Sequence, residues 1–508
     1  MISDNRGGRW VFTEGGAWVC SGSSQRDVVH TVREGDRVTA METSWGHKIT
    51  VSYGGARVVS AISSDGRCVR YSYDDENRLV QVDGPDGSRR YEWDDTLITT
   101  VVDACGNAEC INSYDGRGRI TSQQAANGRT VHFRYLPGGV TAASDADGTN
   151  ANTWICDAHG RTTGVVDAHG GQISMTYDSF GNMVRCVDRA GNVTSHRYDQ
   201  RGRLTHTDLP TGGTIDCSWD DLDRLVSTTL ANGAQTTFEY DGTERDPVRV
   251  TDPCGGVTVA EWKDGLLLRA TNPVGVSLRF SYDHHAELVR VEDAHGEASR
   301  LIRDEAGRIV ETISPGGATT RFSYDDAGRL AAVVTPDGAT WEHRYDVAGH
   351  LIELVAPDSG VTKWEYHPDG QISRVIDPLG RVIEHSYDHL GNLAGMQLPD
   401  GSAWSFIHDA LSRLTQVVAP DEARWTYAYD VDGNLSGVTD PAGFARPGSL
   451  LTVSLPAPPR IVTGTNSTAS MPIPTVLLLP SPMSLAPSRS SRVICVADRL
   501  SFRTSLAR

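Results

Sequence analysis

The sequence predicts an all-β fold, an array of β-hairpins with a 21-residue period that curls into a spiral sheet or an open shell. From Tyr177 to Tyr429 the chain returns every 21 residues to an aromatic residue, which is followed by aspartate and, three residues later, usually by glycine. Fifty-two glycines are more than a helical protein tolerates, and they recur at fixed repeat positions. A short fixed period indicates copies of one supersecondary unit, each burying its apolar face against its neighbours.

The aromatic residue defines the register of the repeat. Within the array the spacing persists at Glu261, Arg303 and His408, where no aromatic residue stands, and it slips by one residue between Trp93 and Tyr73, which are 20 residues apart. The other positions in register are Tyr114, Tyr135, Cys156, Tyr177, Tyr198, Trp219, Tyr240, Tyr282, Tyr324, Tyr345, Tyr366, Tyr387 and Tyr429.

The first half of each unit predicts a strand and a turn. Phe322 and Tyr324 alternate with polar neighbours, which is the period-two pattern of a half-buried strand. Asp325 to Gly328 predicts a turn, because aspartate accepts hydrogen bonds from the backbone amides ahead of it and glycine adopts a positive φ at little cost.

The second half predicts a return strand and a second turn. Leu330 and Val333 are the apolar anchors of this strand, and their three-residue step breaks strict alternation, so we expect a β-bulge there. Pro336 opens the second turn, because proline fixes φ and donates no hydrogen bond. We expect about eighteen units and roughly 36 strands, and a twisted sheet of that size must curl.

The residues that we expect to build the repeat are structural and not catalytic. They are Tyr177, Asp178, Gly181, Tyr198, Asp199, Gly202, Leu204, Tyr324, Asp325, Gly328, Leu330, Tyr345, Asp346, Gly349, Tyr387, Asp388, Gly391, Tyr429, Asp430 and Gly433.

Composition excludes several classes of function. The formal net charge of −18 argues against nucleic acid as a partner, because phosphate binding needs clustered Lys and Arg. The nine cysteines occupy different repeat positions, which predicts packing residues and neither a disulfide ladder nor a metal site. The sequence predicts no cleavable leader and no transmembrane helix.

We expect three regions. Residues 1–49 form a degenerate β lead-in, with Arg33 to Val38 as a worn copy of the unit, and residues 50–443 form the repeat array. Residues 444–508 contain nine prolines and eleven serines, with seven arginines against one acid, and none of the repeat pattern. We expect this tail to be disordered or to be read in a shifted frame, which translation of its codons in the other two frames would test.

The motif Tyr-Asp-x-x-Gly-Arg-Leu, at Tyr198–Leu204 and Tyr324–Leu330, resembles the YD repeat of the Rhs family over about residues 50–443. The resemblance implies a bacterial β-strand shell, related in plan to toxin-complex cocoons and to the YD shell of teneurins. Such shells enclose a C-terminal toxin, deliver it to other cells, and self-cleave at an aspartate-containing plug. No plug or toxin domain is recognisable in this sequence, and it has about half the length of such shells, so we expect it to be truncated.

Four motifs that suggest chemistry are better explained as turns. Asp377-Pro-Leu-Gly and Asp440-Pro-Ala-Gly resemble the motif near the self-cleavage site of the family, but both lie where second turns are expected. Asp-Ala-His-Gly occurs three times in turns, at Asp157, Asp167 and Asp293. Asp145 begins a calcium-like loop that lacks the glutamate expected twelve positions along.

We therefore predict a non-enzymatic shell segment of an Rhs-type polymorphic toxin system, without cofactor or metal. Its expected partners are a C-terminal toxin and its immunity protein, both absent from this chain, and a secretion apparatus. It would be secreted from a bacterium or lie at its surface, without a cleavable signal peptide. One alternative is an adhesin that binds cell-surface carbohydrate by stacking sugars on its aromatic row. The other alternative is a remnant of a disrupted gene.

Overall fold

The computed structural model of the chain describes residues 1–3, 9–22, 28–85 and 87–447. These residues belong to a compact unit that spans Met1–Thr463, and a second unit, Gly464–Arg508, lies outside the described residues. Apart from residues 444–447, the predicted tail therefore also lies outside them. Every regular element in the described ranges is a β-strand, and there are 44 of them in one sheet.

The first 22 strands are β1 (Ile2–Ser3), β2 (Arg9–Phe12), β3 (Trp18–Gly22), β4 (Val29–Glu34), β5 (Arg37–Thr43), β6 (Lys48–Gly54), β7 (Arg57–Ser63), β8 (Cys68–Tyr73), β9 (Leu79–Gly84), β10 (Gly87–Asp94), β11 (Leu97–Val102), β12 (Ala108–Tyr114), β13 (Ile120–Ala125), β14 (Thr130–Leu136), β15 (Val140–Ser144), β16 (Asn152–Cys156), β17 (Thr162–Val166), β18 (Gln172–Tyr177), β19 (Met183–Val187), β20 (Val193–Tyr198), β21 (Leu204–Asp208) and β22 (Thr214–Trp219).

The remaining described strands are β23 (Leu225–Leu230), β24 (Gln235–Glu239), β25 (Arg249–Thr251), β26 (Val257–Lys263), β27 (Leu266–Thr271), β28 (Ser277–Tyr282), β29 (Leu288–Asp293), β30 (Ala298–Arg303), β31 (Ile309–Ile313), β32 (Thr319–Tyr324), β33 (Leu330–Val334), β34 (Thr340–Tyr345), β35 (Leu351–Val355), β36 (Val361–Tyr366), β37 (Ile372–Ile376), β38 (Val382–Tyr387), β39 (Leu393–Gln397), β40 (Ala403–His408), β41 (Leu414–Val418), β42 (Arg424–Tyr429), β43 (Leu435–Thr439) and β44 (Ala445–Pro447).

Each strand pairs antiparallel with the next strand in the sequence, from β1–β2 to β43–β44. Among the described strands β1 pairs only with β2, and β44 only with β43, so the sheet is open at both ends. The hairpin array that the 21-residue period predicted is thus confirmed. The strands β2–β5 of the lead-in continue the same pairing.

The sheet has two chemically different faces. In β32, Phe322 and Tyr324 are half-buried, whereas Arg321 and Ser323 are exposed. We call the first side of each strand the aromatic face and the second the polar face. No large side chain in the described ranges is fully buried, so the core is one layer of side chains on the aromatic face.

A β-bulge recurs where most of the repeat aromatics meet the return strand, with Tyr135 in β14 as an exception. Tyr324 is opposite Leu330 but Ser323 is opposite Ala332, which leaves Ala331 as the extra residue. The predicted bulge is therefore confirmed. Because a bulge increases the local twist, its repetition along the array explains why the sheet curls.

The curled sheet contacts itself after 23 strands. A ring nitrogen of His285, Nδ1, lies 2.8 Å from the carbonyl oxygen of Trp45, and the strands between these turns are β6 to β28. The backbone N–H of Ala190 donates to Asp432 Oδ1 at 3.3 Å, and the strands between them are β20 to β42. At about 4.8 Å per strand, one coil is about 110 Å around and about 35 Å across. The predicted spiral is thus confirmed.

An odd number of strands per coil decides which turns meet. Successive turns of a meander lie at opposite edges of the sheet, so turns separated by 23 strands bring the two edges together. The first turns of the later coil, which hold Asp346 and His389, contact second turns of the earlier coil at Cys105 and Asn150. We call this line of contacts the seam.

No helix long and apolar enough to span a membrane is found in the part of the chain that the structure describes.

A cysteine pair tests the pitch of the coil. We expect Ala190→Cys with Asp432→Cys to form a disulfide on mild oxidation, because backbone and side chain already approach within 3.3 Å. The control pair Ala190→Cys with Leu411→Cys is displaced by one repeat and should not link. Mass spectrometry of the non-reduced peptides identifies the linked residues. Equal linking in both pairs would contradict a coil of 23 strands.

Candidate functional site

The repeat aspartate organises the first turn of each unit. In the turn that begins at Asp199, Oδ1 accepts hydrogen bonds from the backbone N–H groups of Arg201 (2.9 Å) and Arg203 (3.0 Å). The N–H of Gly202 closes the turn by donating to the carbonyl of Asp199 at 2.9 Å. At the equivalent Gly328 the φ angle is +81°, which a residue with a side chain adopts only under strain. Glycine therefore favours the turn, although a positive φ is also adopted at equivalent positions by Asp223, Ala286 and Ser412.

These hydrogen bonds hold the repeat carboxylates ionised. Burial raises the pKa of Asp325, but the hydrogen bonds from the backbone and side chain of Arg329 outweigh it and leave the pKa below its ordinary value. The backbone N–H and the guanidinium of Arg119 lower the pKa of the Asp115 carboxyl to about 2. Such carboxylates are acceptors in a turn and are poorly suited to act as general acids near neutral pH.

The arginine that follows the turn glycine links one unit to the next. Arg329 Nε donates to Asp325 Oδ2 at 2.8 Å, and Nη1 donates to the carbonyl of Asp346 in the next unit at 2.9 Å. Its guanidinium carbon also lies 4.8 Å from the ring centroid of Tyr345. The sequence motif contains this arginine, but we assigned it no role from the sequence. Its recurrence directly before the leucine was the available signal.

The repeat aromatic donates a hydrogen bond to the preceding unit. Tyr345 Oη donates to the carbonyl of Leu330 at 3.0 Å, and Trp219 Nε1 donates to that of Leu204 at 2.7 Å. Burial raises the pKa of Tyr240 to about 12, so this donor stays protonated. The same bond, over 15 residues, is formed by Tyr53, Tyr73, Tyr135, Tyr177, Tyr198, Tyr240, Tyr282, Tyr324, Tyr366, Tyr387, Tyr429 and Trp262.

Downstream of Tyr177, three positions of the register lack an aromatic residue. At two of them another side chain donates the hydrogen bond to the carbonyl group of the preceding unit. Trp262, one residue after Glu261, donates its indole N–H to the carbonyl of Pro247 at 3.1 Å. The guanidinium of Arg303 lies 3.4 Å from the carbonyl of Leu288, where a tyrosine hydroxyl would otherwise be. His408 has no such bond, and its Nδ1 is buried without a partner among the described residues. Sequence reasoning missed Trp262 because it lies one position out of register, and it missed Arg303 because it looked for aromatic rings and not for donors.

The structure distributes the predicted repeat residues along the sheet and does not gather them into one cleft. The remaining turn aspartates bind backbone amides and a side chain four residues ahead, as Asp178 does with Asn182 and Asp346 with His350. Burial raises the pKa of these carboxyl groups, but the hydrogen bonds that they accept outweigh it. The pKa is therefore lowered at Asp178, Asp199, Asp346, Asp388 and Asp430. The turn glycines have positive φ at Gly181, Gly202, Gly349, Gly391 and Gly433.

The motifs that resemble a self-cleavage site adopt the same turn geometry. Asp377 Oδ1 accepts from the N–H groups of Leu379 and Arg381, each at 2.9 Å, and Oδ2 accepts from Arg381 Nε at 2.6 Å. Asp440 Oδ1 accepts from two backbone amides at 3.0 Å, those of Ala442 and Phe444. Both carboxylates are therefore occupied within second turns.

The histidine and calcium-like motifs also lie in turns. Asp157 Oδ1 accepts from the backbone N–H of His159 at 2.9 Å, so the turn uses the backbone of the histidine and not its ring. Asp145 Oδ1 accepts a hydrogen bond from Arg129 Nε at 2.9 Å. The carboxylate that a calcium ion would need as a ligand is therefore already bound to a guanidinium group. Within the described ranges there is no group of three or more His, Cys, Asp or Glu residues that could hold a metal ion.

The tyrosine hydrogen bond can be tested by removing one oxygen atom. We expect Tyr345→Phe to lower the free energy of local opening by about 1 kcal/mol, because the carbonyl of Leu330 loses its donor. Hydrogen exchange of the amides in β33 and β34 measures this opening. Tyr427→Phe is the matched control, since no partner of the Tyr427 hydroxyl lies in the described residues. Equal effects in the two variants would contradict the assignment.

The lowered carboxyl pKa values predict destabilisation by acid. Because the pKa of repeat aspartates such as Asp115, Asp199 and Asp325 is lower in the folded state than in the unfolded state, where it is about 3.9, the unfolded state binds more protons as the pH falls. The stabilisation is complete above about pH 5 and is lost as the pH falls from about 4 towards 2. Guanidinium unfolding between pH 7 and 2.5 measures it. Asp115→Asn should slightly reduce the slope of the unfolding midpoint against pH. An unfolding midpoint that does not change with pH below 5 would contradict the prediction.

Two protein-family models match the residues that form the sheet. The family model described as Teneurin YD-shell matches residues 140–341 and 276–408, which together cover more than half of the chain. The RHS Repeat model matches residues 55–89 and 408–445. No curated protein matches the sequence.

One solved structure with the same fold is a Tc holotoxin pore. The Photorhabdus luminescens Tc holotoxin pore with the TccC3-D651A mutation is 15% identical, with a TM-score of 0.50, over 83% of this chain and 26% of that chain. The TcdB2-TccC3-Cdc42 structure is 15% identical, with a TM-score of 0.49, over 83% of this chain and 27% of that chain. This chain thus spans about a quarter of the length of these structures. With its Tyr-Asp turns, its coiled sheet and a family match over more than half its length, the chain belongs to the Teneurin YD-shell family.

Proposed function

We propose that this chain is a structural, non-enzymatic segment of the shell of an Rhs-type polymorphic toxin system. The observation that carries the proposal is the coil of 23 strands whose edges meet at the seam. A sheet that coils and contacts its own previous coil separates an inner space from the solvent outside. An antiparallel sheet that does not coil would not separate the two. The chain would act as a wall and not as a catalyst.

The use of the polar groups of the repeat supports a structural role. The repeat aspartates are engaged by amides and cations within their own turns, as at Asp325, and the tyrosine hydroxyls by carbonyls of the preceding unit. Groups held in this way give the sheet its shape and have little remaining capacity to transfer protons. We infer that the repeat residues act as structural ties.

The proposed partner is a polypeptide that the shell encloses or presents. We propose a C-terminal toxin with a separate immunity protein, and export from a bacterium. Support comes from the fold that the chain shares with the P. luminescens Tc holotoxin structure. The lead-in, array and tail boundaries at residues 49 and 443, and the reading frame of the tail, remain predictions.

The carbohydrate-binding alternative gains no support from the aromatic row. Sugar stacking needs a free ring face, but the guanidinium carbons of Arg308 and Arg413 lie 4.6 and 4.9 Å from the ring centroids of Tyr324 and Tyr429. Each hydroxyl also binds the sheet itself. We therefore do not propose an adhesin.

A passenger fusion tests the enclosing role. A protease-sensitive, unstructured polypeptide is appended to the C-terminus of the 508-residue chain. We expect trypsin to cut it about tenfold more slowly than the same polypeptide mixed with the chain, since cleavage follows access. Mass spectrometry of timed samples measures the cleavage rate.

The seam supplies a matched control for this fusion. His169 lies 3.5 Å from Asp409 and His389 lies 3.5 Å from Asp145, so His169→Ala with His389→Ala should weaken the seam and restore cleavage. His159 and His295 lie in turns that face away from the seam, and their alanine variants should keep the protection. Passenger cleavage at the rate of the simple mixture in the unsubstituted fusion would refute enclosure.

A further inference from the structure

Charges on the polar face are paired across strands. Glu353 in β35 binds Arg344 of β34 at 2.9 Å and Lys363 of β36 at 2.9 Å. Arg374 in β37 likewise lies 3.2 Å from Glu365 of the preceding strand. Opposite charges on neighbouring strands stabilise a sheet, whereas like charges directly opposite destabilise it. The polar face therefore follows a rule of complementary pairing.

Four consecutive strands break this rule. Arg269 in β27 lies directly opposite Arg279 in β28, and Arg290 in β29 lies directly opposite Arg300 in β30. Among the registered pairs of the described strands, these are the two places where a cation faces a cation. We call these four residues the arginine stripe. It crosses four adjacent strands, about 15 Å of sheet.

The ion pairs nearby do not neutralise the stripe. Arg269 Nη1 is 3.5 Å from Glu261, and Arg290 is paired with Glu292 on its own strand. Arg279 and Arg300 are exposed, and no ion pair joins either of them to another described residue. Glu292 lies directly opposite Arg279, but its carboxylate is paired with Arg290, which itself faces Ser281, so the two arginine pairs are offset along the strands. Four positive charges thus meet two negative ones. Since the arrangement costs the sheet stability, an interaction outside the sheet would account for it.

We propose that the arginine stripe is the docking surface for a short acidic polypeptide segment. The guanidinium group presents a planar fork of donors that binds a carboxylate through two parallel hydrogen bonds, and Arg279 and Arg300 have these donors free for a ligand. Residues 1–443 carry 40 basic and 64 acidic groups, so a local basic patch stands out on an acidic surface.

The surroundings of the stripe favour a peptide over other anions. Sugars and nucleic-acid bases stack on aromatic rings, but the rings of Phe280 and Tyr282 alternate with Arg279 and so lie on the opposite face. A long polyanion would meet the acidic surface beyond the four strands. The tail of this chain, with seven arginines against one acid, has the wrong charge to be the occupant.

This inference does not rest on the enclosing role. The stripe is a property of the polar face of β27–β30, and an acidic segment could dock there whether or not the coil encloses a passenger. Failure of the binding experiment would leave the shell proposal in place, and failure of the passenger fusion would leave the stripe to be tested.

The test is a binding titration with the full-length chain. The probe is a fluorescent peptide in which every second residue is glutamate, followed by anisotropy, with a glutamine version as the uncharged control peptide. We expect Arg279→Gln with Arg300→Gln to raise the Kd about tenfold, because two charge-assisted contacts are lost. The matched control, Arg321→Gln with Arg344→Gln, removes polar-face arginines already paired with Glu311 and Glu353, and should change the Kd less than about twofold.

Three outcomes would overturn the proposal. The first is equal binding of the glutamate and glutamine peptides, and the second is an unchanged Kd in the Arg279→Gln, Arg300→Gln variant. The third is displacement of the peptide by a sulfated oligosaccharide or an oligonucleotide at lower concentration, which would assign the stripe to that ligand. A thermal unfolding midpoint of this variant at or above that of the unsubstituted chain is expected, since repulsion is relieved. A lower midpoint would instead show that the stripe is structural.

Discussion

The hydrogen bond from each repeat aromatic to the carbonyl group fifteen residues upstream is the interaction on which the rest of the structure depends. It reaches the carbonyl of the residue that begins the return strand, as Tyr324 reaches Ile309, beside the bulge where the strand register shifts. A bulge disrupts the regular ladder, so a donor from the next unit compensates the backbone at that point. The position requires a donor more than a ring, which explains why Arg303 can serve there. Shape and stability are thus set by the same contact.

Because each unit ties only its neighbours, the coil is the sum of many small rotations. Nearest-neighbour coupling is the rule in repeat proteins, and here it passes through the ring, the carbonyl and an arginine such as Arg329. Among the described residues, the hydrogen bonds and ion pairs between coils join turn residues, and His47 stacks on His285 at 4.9 Å. The sheet is therefore strongly connected along the hydrogen-bonding direction and weakly connected across the seam. Local opening should follow the seam before it breaks a hairpin.

Local features were predictable from the sequence, and long-range features were not. The strand that ends at Tyr324, the turn from Asp325 to Gly328 and the bulge after Leu330 all follow from residue types at fixed spacing. The contact between His285 and Trp45 depends on the twist accumulated over 23 strands, and no local pattern encodes that sum. The role of the arginines that link neighbouring units, such as Arg329, was missed for a different reason. The sequence shows that an arginine is present but does not show which groups its guanidinium contacts.

The two faces of the sheet leave different freedom for function. On the aromatic face, the ring and hydroxyl of a residue such as Tyr345 are already committed to a cation and a carbonyl, so a change there alters the shape of the coil. On the polar face the neighbouring Arg344 makes ion pairs with Glu342 of its own strand and with Glu353 of β35, and it can change without touching a turn. Chemistry specific to this chain therefore has room on the polar face and at the seam, and little room in the repeat motif itself. The like-charged pair of Arg290 and Arg300 lies where that reasoning places a binding surface.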